Sequence, residues 1–114
     1  MAPRVAVHPR ERRLTTYDQA RQFGKTYVGA LNTGEEAFAA LFADGAAVTV
    51  GGAAASPELV RQATPPGRSA LRGSRMRQDG EFAVIVRVRG AASVEDREHV
   101  MRLDASGRIV SLSA

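Results

Sequence analysis

Near residue 68 the spacing of apolar residues changes from steps of three and four to strict alternation, and this change does most to limit the fold. Before it, Tyr17, Ala20, Gly24, Tyr27, Val28 and Leu31 mark one face of a helix, with Phe23 at its margin. After it, Phe82, Val84, Val86 and Val88 alternate with Ala83, Ile85, Arg87 and Arg89. Farther on, His99, Met101 and Leu103 alternate with Glu98, Val100 and Arg102. Helices first and an antiparallel meander afterwards define an α+β chain with helices packed on one side of a curved sheet. With 114 residues, a single domain at 15–114 is expected, preceded by a flexible basic arm at residues 1–14.

Turn and cap residues divide the chain further. Thr15 or Thr16 opens the first helix, Thr16 and Gln19 having capping-box spacing, and Asn32-Thr33-Gly34 closes it. A short second helix carries Glu35 and Glu36 in its first turn and a buried stripe of Phe38, Leu41 and Phe42. Asp44-Gly45 turns the chain into a first strand at residues 46–50. The small residues 51–55 read as a connection; they lack the spacing and the lysine of a phosphate-binding loop. Ser56-Pro57-Glu58 starts a third helix that Pro65-Pro66-Gly67 stops. Strands follow at 68–78, 81–89, 97–103 and 108–113, with Asp79-Gly80 as a hairpin turn.

Composition excludes several kinds of chemistry. There is no cysteine, hence no disulfide, thiolate metal site or cysteine nucleophile. No His/Asp/Glu group has metal-ligand spacing, so neither metal nor cofactor is expected, and no G-x-S-x-G elbow occurs. No apolar run approaches a membrane span and no signal peptide is visible, so a soluble cytoplasmic protein is expected. The formal charge of +4 rests almost wholly on arginine, Lys25 being the only lysine, and much of it lies in Arg4, Arg10, Arg12 and Arg13 of the arm. Arg72, Arg75, Arg77, Arg87 and Arg89 gather in the strand region with Phe82 as the one nearby aromatic. That pattern fits a solvated sheet face better than a nucleic-acid surface.

Residues 27–50, YVGALNTGEEAFAALFADGAAVTV, resemble the opening of the nuclear transport factor 2-like superfamily, in particular its ketosteroid-isomerase-like and polyketide-cyclase (SnoaL-like) branch. The tail HVMRLDASGRIVSLSA is similar to the last hairpin of that branch. The resemblance implies a cone: a bent sheet wrapped around helices, with an apolar pocket at one end. In ketosteroid isomerases a tyrosine and a protonated aspartate hold the developing enolate oxygen while a second aspartate moves the proton. Tyr27 falls at the tyrosine position, but Val50 stands at the proton carrier and His99 at the oxyanion aspartate. Valine cannot accept a proton, so ketosteroid isomerisation by that route is not expected.

Two main readings result, with nucleic-acid contact through the arm and the arginine cluster as a minor third. In the first, the chain binds a small apolar molecule in a pocket lined by Tyr27, Phe38, Phe42, Val48, Val50, Val84, Val86, His99, Met101, Val110 and Leu112. If it is an enzyme, Tyr27 donates a hydrogen bond and His99 acts as acid/base or electrophile in an isomerase, cyclase or dehydratase step. In the second it is a non-catalytic module whose outer sheet face (Ile85, Arg87, Arg89, Val100, Arg102) makes a homodimer or partner interface. A buried core tyrosine and a satisfied core histidine are the plainer account of Tyr27 and His99.

Overall fold

Helix α1, Tyr17–Thr33, buries Ala20, Gly24, Tyr27, Val28, Ala30 and Leu31, the face expected from its spacing. Tyr17, the first residue of α1, departs from that face and is exposed. The computed structural model describes residues 17–63, 69–90 and 92–114, so the arm, the Thr15/Thr16 cap and Pro65-Pro66-Gly67 lie outside the described residues. Helix α2 is a single turn, Glu35–Ala39, with Phe38 buried. Helix α3, Pro57–Ala63, begins as its sequence suggests, the Leu59 N–H donating to the Ser56 hydroxyl at 3.4 Å.

The sheet has six strands: β1 (Phe42–Val50), β2 (Ala53–Ala54), β3 (Ser69–Met76), β4 (Phe82–Arg89), β5 (Val94–Leu103) and β6 (Ile109–Ser113). Their order is β2-β1-β6-β5-β4-β3, with β1 parallel to β6 and every other pair antiparallel. Gln78–Gly80 forms a single 3-10 turn between β3 and β4, with Gly80 at φ 78°. Two expectations need correction here. Phe42 belongs to β1 rather than to α2, and Asp44-Gly45 lies within β1, where Gly45 at φ 73° falls in a register irregularity between Phe42 and Ala47. Residues 51–55 are more than a connection: Gly51 and Gly52, both at positive φ, reverse the chain so that Ala53 and Ala54 pair back on β1.

Bulges decide which residues face the helices. One extra residue, Arg72, sits in β3 between Leu71 and Gly73, so the inward set passes from Ser69 and Leu71 to Ser74 and Met76. Another, Val110, sits in β6, turning both Ile109 and Leu112 inward. The expected inward pair Val110 and Leu112 is thereby replaced by Ile109 and Leu112, Val110 being half-buried and outside the core cluster. Along β4 no bulge intervenes, and Phe82, Val84, Val86 and Val88 are all buried. α1 closes on this face at Gly24, whose missing side chain lets Ser74 Oγ approach to 2.8 Å of where a Cβ would stand.

Candidate functional site

On the inner face β4 and β5 pair in register, which sets Val84 opposite His99 and Phe82 opposite Met101. α1 lays Tyr27 across these strands. The Tyr27 hydroxyl lies 2.6 Å from His99 Nδ1, with the rings edge to face at 5.5 Å between centroids. With the imidazole proton on Nε2 the phenol O–H donates to Nδ1; in the other tautomer Nδ1–H donates to the phenol oxygen. The aromatic contacts continue from Tyr27 to Phe38 at 5.3 Å and from Phe38 to Phe42 at 5.2 Å.

The pair is sealed, Tyr27 being 0% exposed and His99 1%. Burial raises the Tyr27 pKa well above the ordinary phenol value. Burial, with a smaller push from the Arg97 charge, brings His99 down to about 4. At neutral pH the site therefore holds a neutral phenol and a neutral imidazole, able to donate or accept hydrogen bonds but not to supply charge. Among the described residues the buried polar side chains besides Tyr27 are Ser69, Ser74 and His99, so no carboxylate stands inside this core. Val50, at the end of β1, packs against the core from its edge.

Of the other expected pocket residues, Phe38, Phe42, Val48, Val84, Val86, Met101 and Leu112 share one buried cluster with Tyr27. An open groove of about 290 Å³ lies between α2 and α3, with Phe38, Ala39 and Pro57 as its apolar part and Glu35, Glu58 and Arg61 around it. A smaller one of about 190 Å³ adjoins it at Glu35, Glu58, Arg61 and Gln62. Neither is lined by Tyr27 or His99, though Phe38 connects the larger groove to the Tyr27 ring.

Opposite this core, the outer face carries a lattice of ion pairs. Arg77 meets Glu81 at 3.0 Å and Glu98 at 3.3 Å, and Arg75 also bonds Glu98. Arg102 meets Glu81 at 3.7 Å, and Asp96 takes Arg87 at 2.8 Å and Arg72 at 4.0 Å. Of the arginine cluster of the sequence, Arg72, Arg75, Arg77 and Arg87 thus meet carboxylates of β5 or Glu81. No group of three or more metal-ligating side chains occurs among the described residues, and no helix there is long and apolar enough to cross a membrane.

Sequence reasoning did not single out Arg97, whose place in the alternation puts it inward, one position from His99. Its guanidinium bonds the carbonyl of Ala63, the last residue of α3, and its Nη2 lies 3.4 Å from Glu95. Ser69, also overlooked, carries a buried hydroxyl without a hydrogen-bond partner among the described residues. Compared with models of known protein families the chain matches none, and no curated protein sequence matches it.

Proposed function

We propose that this chain is a small-molecule-binding protein of the nuclear transport factor 2-like type, in which Tyr27 and His99 present a neutral hydrogen-bonding pair to the carbonyl or hydroxyl of an apolar ligand. One observation carries this reading: a 2.6 Å Tyr–His hydrogen bond joins α1 to β5 inside a cluster that is otherwise apolar. Burying two polar groups there adds nothing to packing that Phe and Leu would not supply, and a function is one reason to keep them. The family assignment draws on residues 27–50 and on helices gathered on one face of a mixed six-stranded sheet. Without an inner carboxylate, the expected chemistry is binding or polarisation of a carbonyl, in the manner of an isomerase, cyclase or dehydratase with His99 at the position of the family's oxyanion aspartate.

Titration with 2-acetylnaphthalene, followed by amide and side-chain NMR shifts, tests this reading. Saturable changes centred on Tyr27 and His99 are expected. Absence of any change at millimolar probe would overturn it.

A second reading has its own observation. Tyr27 and His99 satisfy each other and are closed to solvent, as a structural pair in a non-catalytic module would be. In that case the outer face of Ile85, Val100 and the ion-pair lattice is the working surface, and light scattering would report a homodimer that substitution of Val100 by aspartate dissolves.

A further inference from the structure

The inner face is not apolar along its whole length. Towards the end formed by the start of β3 and of β5, its residues become Ser69, Val88, Glu95 and Arg97, and the register places them side by side. Ser69 and Glu95 both pair with Val88, from opposite sides. With strands about 4.8 Å apart, they stand roughly 10 Å from each other across a valine floor. Arg97 pairs with Val86, one inward position farther along, and the next inward position is His99. At about 3.4 Å per residue, Arg97 and the Tyr27–His99 pair are therefore roughly 7 Å apart along the strand.

Two features of this end lack an explanation in the fold alone. The Ser69 hydroxyl is buried, at 8% exposure for the residue, and finds no partner among the described residues. An unmatched buried hydroxyl is destabilising, so such groups usually mark a site for water or ligand. Arg97, by contrast, remains about one-third exposed in its side chain, and its contacts with Ala63 and Glu95 use two of its five N–H donors. Glu95 is a weak counter-charge, being 61% exposed and 3.4 Å away.

We infer that this end of the inner face is a carboxylate subsite, where Arg97 and the Ser69 hydroxyl receive the acid group of a small amphipathic ligand. The guanidinium fork matches a carboxylate, and the hydroxyl supplies a further donor. The Arg97 charge already acts across this face, contributing to the lowered basicity of His99. The inference rests on the proposed small-molecule reading and specifies its ligand class: an organic acid rather than a neutral carbonyl compound.

A matched pair of probes tests it by isothermal calorimetry at low salt: 2-naphthoate and the nearly isosteric, neutral 2-acetylnaphthalene. In the unaltered protein 2-naphthoate is expected to bind about tenfold more tightly, the range of a charge-assisted hydrogen bond. Arg97→Met should abolish the preference. Ser69→Ala should lower the preference by about threefold, and Glu95→Gln, which removes a competing carboxylate, should raise it. The latter two variants keep the Arg97–Ala63 bond, so they remain decisive if Arg97→Met fails to fold. Equal binding of the two probes, or a preference that survives in Arg97→Met and does not respond to Ser69→Ala and Glu95→Gln, would overturn the carboxylate subsite and leave the small-molecule reading standing. If neither probe binds, both fall together.

Discussion

The hydroxyl of Tyr27 and Nδ1 of His99 meet at 2.6 Å across 72 residues of sequence, the first from the middle of α1 and the second from the inner face of β5. Because both are buried, each is the other's substitute for water. Tyr27→Phe should therefore cost about 1–3 kcal/mol, by leaving a buried ring nitrogen unpartnered. The double variant Tyr27→Phe/His99→Leu should recover much of that loss, since replacing both partners by apolar groups of similar shape can be nearly neutral. Urea unfolding of the unaltered chain, the singles Tyr27→Phe and His99→Leu and the double variant measures this, and a double variant as unstable as the sum of its singles would show that the pair is not coupled.

His99 also imposes a pH dependence. Its pKa of about 4 in the folded chain lies below the ordinary 6.5, so on acidification the unfolded chain takes up this proton first. This contribution to stability is fully present above pH 6.5, declines as pH falls through the window from 6.5 to about 4, and is lost below it. The total is on the order of 3 kcal/mol. Asp96 and Asp104, held below their ordinary value by Arg87 and by Ser106, act only at lower pH. NMR titration should find the His99 ring neutral at pH 5.5; a ring that titrates near 6.5 would contradict its sealed position.

Two glycines of α1 should respond oppositely to alanine. At Gly24 a Cβ would stand 2.8 Å from Ser74 Oγ and 3.1 Å from a Leu71 methyl. Overpacking of that kind costs about 1–3 kcal/mol, outweighing the gain of up to 1 kcal/mol in helix propensity. Gly29 has nothing within 4 Å of the same position, so Gly29→Ala should stabilise by up to about 1 kcal/mol. Thermal unfolding of both single variants is the test, and a stabilised Gly24→Ala would mean that α1 lies farther from β3.

The outer ion-pair lattice should matter little to stability. Glu98 accepts from Arg75 and Arg77 at once, yet all three side chains are at least one-third exposed. Glu98→Gln is expected to change unfolding free energy by less than about 1 kcal/mol, with the difference shrinking as salt rises. A larger, salt-insensitive loss would point to a buried partner surface over this face.

Sequence periodicity by itself determined the main layers. The helical face through Ala20, Tyr27 and Leu31 and the alternation through Val84, Val86, His99 and Met101 depend only on near-neighbour spacing, which burial on one side enforces. The Ser56 cap was legible for the same local reason. Tertiary structure alone decided what depends on register. Arg72 and Val110 are extra residues opposite unbroken partner strands, and each reverses the alternation beyond it, bringing Ser74 and Ile109 inward. No local signal reports such a bulge, because it is set by how two distant strands align. The meeting of Tyr27 with His99, and the grouping of Ser69, Glu95 and Arg97 at one end of the inner face, are of this second kind. The sequence supplied the residue types and their facing; the pairing of β3, β4 and β5 brought them together.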